Sequence, residues 1–176
     1  VYGIAKKAFT FIEKKNYQEA LIILNKITSN MNYEDKYIEY FRDLFYYRGL
    51  CRYYLNHFNE ALKDFSLTQK LENKFQKLNC GDNDEYLGEK LNILTLQAKI
   101  YERIGDHKSA IKCLKKRLGD YKSMHIDDIE DDDGFIDNLF QLAKLKKYQG
   151  NLSASLKDMI DIINIIDFSG ILLIDE

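Results

Sequence analysis

Apolar residues recur along this chain at steps of three and four, in blocks separated by turn-forming residues. One block is met four times: NYQEALIIL from Asn16, HFNEALKDF from His57, DHKSAIKCL from Asp106 and NLSASLKDM from Asn151. Anchored on the small residue of each copy, Ala20, Ala61, Ala110 and Ser155, the four align without gaps. Three residues before the anchor stand Tyr17, Phe58, His107 and Leu152; one after it stand Leu21, Leu62, Ile111 and Leu156; four after it stand Leu24, Phe65, Leu114 and Met159. At 3.6 residues per turn these offsets share one helical face, so each block predicts an amphipathic helix.

A second helix precedes each block. Twelve residues before the anchor is another small residue, Ala8, Gly49, Ala98 and Ala143, and sixteen before it a large apolar one, Ile4, Phe45, Leu94 and Leu139. A small residue on each of two helices lets their backbones approach closely while the larger neighbours fill the flanks, which predicts an antiparallel pair, helix A followed by helix B. The turn between them carries Asn16, Asn56, Gly105 with Asp106, and Gly150 with Asn151, residues that accept left-handed backbone or cap the following helix. Glycines are few and proline is absent, so helices dominate and no strand is expected. The pattern predicts a single all-α domain over 1–176, built from four two-helix units at about 1–34, 42–78, 91–124 and 136–168.

Two helices per unit, with small and large residues at these offsets, resemble the tetratricopeptide repeat family, and the four segments together cover most of the chain. The resemblance implies an α-solenoid. Three departures accompany it. The proline that commonly follows helix B is missing, and Arg52 and Lys146 stand where Phe11 and Tyr101 supply an aromatic in the other two units. The anchors lie 41, 49 and 45 residues apart (61 minus 20, 110 minus 61, 155 minus 110), against about 34 in the family. Each junction therefore carries extra residues: a helix B lengthened to about Leu78 with the loop NCGDNDE, whose Asp84 caps the next helix, and the acidic stretch HIDDIEDDDG.

The resemblance also implies a function, because in this family the helices A line a concave groove that holds a peptide or a partner helix. By register the groove would show Tyr2, Ala5, Phe9, Ile12 and Glu13 from the first unit, and Asp43, Tyr46, Leu50, Tyr53 and Tyr54 from the second. The third would show Asn92, Thr95, Lys99, Glu102 and Arg103, and the fourth Asp137, Phe140, Lys144, Lys147 and Tyr148. The first half is aromatic and apolar, the second more basic, which suits an amphipathic protein partner with an acidic end. The co-chaperones of this family clamp acidic chaperone tails with Lys, Asn and Arg. Ala5, Phe9, Tyr47, Asn92 and Leu96 occupy the corresponding places here, so that specialised role is not expected.

Composition narrows the classes further. Charged residues make up 31% with a net charge of -2, so no surplus of either sign steers the chain to nucleic acid or an anionic membrane. A helical repeat that reads RNA, the rival reading, calls for shorter units and a basic groove. The most apolar run, Ile160 to Ile174, is broken by Asp161, Asn164, Asp167, Ser169 and Gly170, and no membrane span is expected. Cys51, Cys80 and Cys113 are odd in number with no C-x-x-C spacing, which argues against a disulfide framework and a zinc site and fits a reducing, cytoplasmic location. The chain opens on Val1 in a stretch that is already amphipathic and reads as a fragment of a larger protein. FSGILLIDE from Phe168 is too apolar for a free tail; it starts a further repeat, caps the last one, or offers an end through which two fragments could associate.

Chemistry finds no foothold in the sequence. The acidic run from Asp127 to Asp133 precedes Gly134, but an EF-hand loop with that glycine at its sixth position would place its first ligand on Ile129 and its final glutamate on Phe140. His57 and His107 sit in equivalent turns, and His125 lies in the acidic stretch. No G-x-S-x-G and no glycine-rich phosphate loop occurs. Cys51 and Cys113 fall on apolar helix positions, where a thiol is buried and inert, and Cys80 beside Gly81 is the one expected at the surface. The reading is a non-catalytic protein-binding module with no cofactor and no metal.

Overall fold

The computed structural model describes residues 2–29, 37–79, 84–121 and 133–168, with side chains described over 4–29, 37–78, 92–119 and 137–160. The described residues form eight helices: α1 (Tyr2–Glu13), α2 (Tyr17–Ser29), α3 (Ile38–Tyr54), α4 (Phe58–Asn79), α5 (Asp84–Arg103), α6 (His107–Tyr121), α7 (Asp133–Tyr148) and α8 (Leu152–Phe168). Their order is the predicted A, B alternation. The third unit begins at Asp84 instead of about 91, because α5 extends one and a half to two turns further back than the apolar pattern shows. Asp84 is therefore the first helical residue, not the residue before it. Cys80, His125, Asp127 to Asp132 and residues 169–176 lie outside the described residues. Where the sequence reads one domain, the packing divides it into two compact units, Val1–Tyr86 and Leu87–Glu176.

Each unit holds its own core. In the first, Ala5, Ala8, Ala20, Leu21, Leu24, Ile27, Leu44 and Cys51 pack together across α1, α2 and α3. In the second, Ala98, Ala110, Leu114, Leu118, Leu139, Leu142 and Leu145 do the same across α5, α6 and α7. α3 is central to the first unit, lying against α2 and α4 and touching α1. Its buried residues, Ile38, Phe41, Leu44, Phe45, Gly49, Cys51 and Tyr53, accordingly spread around the helix and do not keep to one stripe.

The small residues of the two registers are buried in all four pairs. In the second pair, a Cβ on Gly49 would come within 2.9 Å of the Phe65 ring and 3.1 Å of the Asp64 Cβ. Phe65 fills the place that Leu24, Leu114 and Met159 take elsewhere, so the larger ring is matched by the smallest partner residue. In the fourth pair the anchor is Ser155, whose hydroxyl donates to the Ala143 carbonyl at 2.8 Å and so needs no water inside the crossing.

All four turns have one construction. Lys15, Asn56, Gly105 and Gly150, each five residues before its anchor, take φ values of 57°, 61°, 80° and 76°. In the first turn the Lys15 N–H donates to the Ile12 carbonyl and the Asn16 N–H to the Phe11 carbonyl, both at 2.8 Å. The same two bonds recur from Asn56 and His57, from Gly105 and Asp106, and from Gly150 and Asn151. This is the Schellman arrangement, which satisfies carbonyls left over at the end of helix A. The left-handed residue of the first turn is thus Lys15, one before the Asn16 that the sequence singles out. Asp106 and Asn151 then cap helix B, their Oδ1 atoms accepting from the Ser109 N–H at 3.0 Å and the Ala154 N–H at 3.2 Å. Hydrogen bonds from the Ser109 hydroxyl and from its backbone N–H hold the Asp106 carboxyl below its usual range.

Two stability measurements test this account. Gly49→Ala is expected to lower stability by about 1–2 kcal/mol, because the clash with Phe65 outweighs the better helix propensity of alanine; adding Phe65→Leu restores most of the loss in urea denaturation. Lys15→Gly relieves the left-handed strain and raises stability by about 0.5–1 kcal/mol, whereas Gly105→Ala, strained by φ alone since nothing stands within 4 Å, lowers it by about 1 kcal/mol.

Candidate functional site

In the first unit the helix A faces carry rings that are largely engaged with one another. Phe9 on α1 lies 4.6 Å from Tyr47 on α3, and Tyr46 meets Tyr47 edge-on at 5.3 Å and Phe65 at 6.3 Å. Tyr54 stacks on Tyr17 at 4.3 Å with the rings within 10° of parallel. Of the expected groove residues, Phe9, Tyr46 and Leu50 are half-buried and Tyr54 is half exposed. Tyr53 is only 8% exposed, packed against Tyr54 and Phe58, and Ala5 belongs to the core, so neither presents a surface. The cause is the central position of α3, which makes its rings spacers between helices. The side chain of Tyr2 lies outside the described residues.

The second unit is different. On α7, Asp137, Phe140, Lys144, Lys147 and Tyr148 are all exposed. Four of them, Phe140, Lys144, Lys147 and Tyr148, fall at i, i+4, i+7 and i+8, so they form one stripe. On α5, Asn92, Lys99 and Arg103 are exposed, and Thr95 and Glu102 are half-buried. Lys144 joins the two helices: its Nζ lies 3.1 Å from the Glu102 Oε1 and 5.9 Å from the centre of the Tyr148 ring. The hydrogen bond to Glu102 holds the Lys144 ammonium above its ordinary range. An exposed pair of this kind adds little stability, and its effect is to fix where the charge stands. Tyr148 stacks on His107 at 6.1 Å, in the register that Tyr54 and Tyr17 occupy in the first unit.

Beneath these faces lies a feature that the sequence reading passes over. Asp64 on α4 is 2% exposed, and its carboxylate accepts from three guanidinium nitrogens of α3: Arg48 Nε at 3.0 Å, Arg48 Nη2 at 2.6 Å and Arg52 Nη1 at 2.7 Å. Arg48 Nη1 also donates to the Thr28 hydroxyl, which donates in turn to the Leu24 carbonyl at 2.8 Å. Two turns along α4, buried Glu72 accepts from Arg42 Nη1 at 2.8 Å and from Gln76 Nε2 at 2.9 Å. Arg52 and Lys146, the two departures from the family's aromatic, each pair with an aspartate three residues after the anchor, Asp64 at 2.7 Å and Asp158 at 2.7 Å. In the other two units that place holds Ile23 and Cys113, which pack with Phe11 and Tyr101 in the apolar cores. A cation opposite an aspartate twelve residues on was the signal in the sequence.

Burial pushes the Cys51 thiol up to about 12 and raises that of Cys113, and a protonated thiol is a poor nucleophile. Among the described residues no group of three His, Cys, Asp or Glu could hold a metal ion. Among them, too, no helix is long and apolar enough to cross a membrane.

The buried pairing carries a prediction. Asp64→Asn leaves two guanidinium groups without their counter-charge and is expected to cost about 3–5 kcal/mol in urea unfolding. Lys144→Gln, which breaks the exposed pair, is expected to cost less than about 1 kcal/mol. Equal losses would contradict the ranking.

No protein-family profile and no curated protein matches the chain. Solved structures do. A crystal structure of MamA superposes with a TM-score of 0.68 at 12% identity, covering 98% of this chain and 76% of that one. A second MamA structure gives 0.67 at 12% identity, covering 95% and 78%. A Podosopora anserina putative kinesin light chain with nearly identical TPR-like repeats gives 0.64 at 11% identity, covering 94% and 74%. With eight antiparallel helices in four register-matched pairs, the chain has a tetratricopeptide-like helical repeat fold.

Proposed function

We propose that this chain is a non-catalytic protein-interaction module whose helix A faces hold a peptide or amphipathic helix of a partner protein, with the exposed face of α5 and α7 as the principal contact. The observation that carries the reading is the α7 stripe. Phe140 and Tyr148 are 47% and 65% exposed although both are large and apolar in body, and Lys144 and Lys147 stand between them. Exposed aromatic side chains flanked by cations supply rigid contact area together with orientation, which is the composition of binding hot spots. Lys99 and Arg103 on α5 extend the positive charge, so the fitting segment carries acidic residues next to aromatic or aliphatic ones. In the first unit, taken by itself, Phe9, Tyr46, Leu50 and Tyr54 keep part of their surface and would form an apolar contact of that unit; Tyr53 packs against Tyr54. The unpaired thiols of Cys51 and Cys113 suit a reducing compartment such as the cytoplasm.

Peptide display against the immobilised chain tests this. Selected peptides are expected to combine acidic and aromatic residues. They should bind at least about tenfold more weakly to the Phe140→Ala, Lys144→Glu, Tyr148→Ala variant, equivalent to roughly 1.4 kcal/mol. All three side chains are exposed, so the variant should keep its thermal midpoint within a few degrees. Unchanged affinity in the variant would sink the reading, as would selective retention of RNA oligonucleotides with a steep salt dependence.

A further inference from the structure

Helix α6 carries a row of positive charge on its outer side. Lys108, Lys112, Lys115 and Lys116 fall at i, i+4, i+7 and i+8, so they line one side of the helix over about 12 Å. All four are exposed, and among the described residues none of their ammonium groups is ion-paired. Between the capping Asp106 and Asp120 the helix has no carboxylate. A solvated helix face ordinarily interleaves lysines with acids three or four residues away. Here Lys112 has Lys108, Lys115 and Lys116 at those distances, and like charges so placed repel one another.

The fold does not ask for this arrangement. Counted from the small anchor residue, the same four places hold one lysine each in the other helices B, Lys26 in α2, Lys63 in α4 and Lys157 in α8, beside residues as different as Ile22, Ser66 and Asp161. Nor is the surrounding unit basic, since residues 87–176 hold 13 lysines and arginines against 16 aspartates and glutamates. A bilayer or a nucleic-acid backbone meets a broad surface and is repelled by that acidic surplus, whereas a row one helix wide meets a single chain segment. We propose that the α6 stripe binds an acidic segment of another protein, successive carboxylates of that segment pairing with Lys112, Lys115 and Lys116. The site does not depend on the α5 and α7 face.

The probe is fluorescein-labelled decaglutamate, read by anisotropy against the full chain at about 50 mM salt. Saturable binding is expected, weakened at least about fivefold by Lys112→Gln, Lys115→Gln, Lys116→Gln and lost at about 0.5 M salt. All three lysines are exposed, so that variant should keep its thermal midpoint within a few degrees. A control with Lys6→Gln, Lys7→Gln, Lys14→Gln removes the same charge from exposed lysines on α1 and the turn after it, and should bind within about twofold of the parent chain. The Phe140→Ala, Lys144→Glu, Tyr148→Ala variant should also bind the probe, which separates this site from the α5 and α7 face. Four results would overturn the proposal: no binding; equal weakening in the α1 control, which makes the attraction one of net charge; tighter capture of phosphatidylserine vesicles or of a single-stranded uridine oligonucleotide through the same lysines, which makes the occupant a bilayer or RNA; or binding only after Asp127, Asp128, Glu130, Asp131 and Asp132 are replaced by serine, which makes the occupant this chain's own acidic stretch.

Discussion

Asp64 sits inside the seam between α3 and α4 with three guanidinium bonds to its carboxylate, and the packing of the first unit depends on it. A carboxylate removed from water is costly unless paired and fully hydrogen-bonded, and Arg48 meets it with both arms of the planar fork, which a lysine could not do. The arrangement has directional demands that a leucine pair lacks. Sliding α4 by one turn would separate Asp64 from Arg48 and Arg52 and Glu72 from Arg42 together, so the polar ladder fixes the register of two long helices. The guanidinium planes also lie over rings, Arg48 at 4.8 Å from the centre of Phe45 and Arg42 at 5.9 Å from that of Phe75. Each cation is therefore packed as well as paired. Thr28 ties the same group to α2. One carboxylate thereby orders three helices.

The four helix pairs keep one geometry through different chemistry. At the crossing, Ala8 with Leu24 and Ala98 with Leu114 do what Gly49 does with Phe65, the volume taken by the ring being returned by the missing Cβ. Beside it, Phe11 with Ile23 and Tyr101 with Cys113 alternate with Arg52 and Asp64 and with Lys146 and Asp158. In the turn, Lys15 takes the left-handed backbone that Gly105 and Gly150 take without strain. In the first two cases the change at one position is answered at its spatial partner. A linear motif scores each change as a departure, while the fold is insensitive to them.

Much of this was legible before any coordinates. The offsets of small and large residues from Ala20, Ala61, Ala110 and Ser155 specify the helix pairs, since close crossing restricts residue size at points that recur along the chain. The exposed stripe on α7 follows from the same register. The aromatic face of the first unit did not, because Tyr46 and Tyr53 look alike on a helical wheel, and only the position of α3 between α2 and α4 shows that Tyr53 is enclosed. The buried ladder was missed for a related reason: Asp64, Thr68, Glu72 and Gln76 at four-residue steps read as a solvated helix face. The extended start of α5 was missed because GDNDEYLGEK has little apolar periodicity to announce it.

Composition held one further clue to how interior and surface divide the work. The sequence has 26 lysines and arginines, of which five are arginine, and three of the five, Arg42, Arg48 and Arg52, lie on α3. Arg117 is buried as well. In a chain that otherwise uses lysine for positive charge, four of the five arginines stand where a cation is enclosed, Arg103 being exposed, since the weakly hydrated planar group loses less on leaving water and can bond in several directions at once. Lysine, strongly hydrated and hinged on a long stem, is mostly left outside, as at Lys99, Lys144 and Lys147, with Lys146 beside Asp158 the enclosed exception. That separation accounts for the contrast between the two units. In the first, the cations and rings of α3 are consumed in holding helices together; in the second, the core of α5, α6 and α7 is closed by leucines and alanines, and the lysines and rings on α7 remain at the surface.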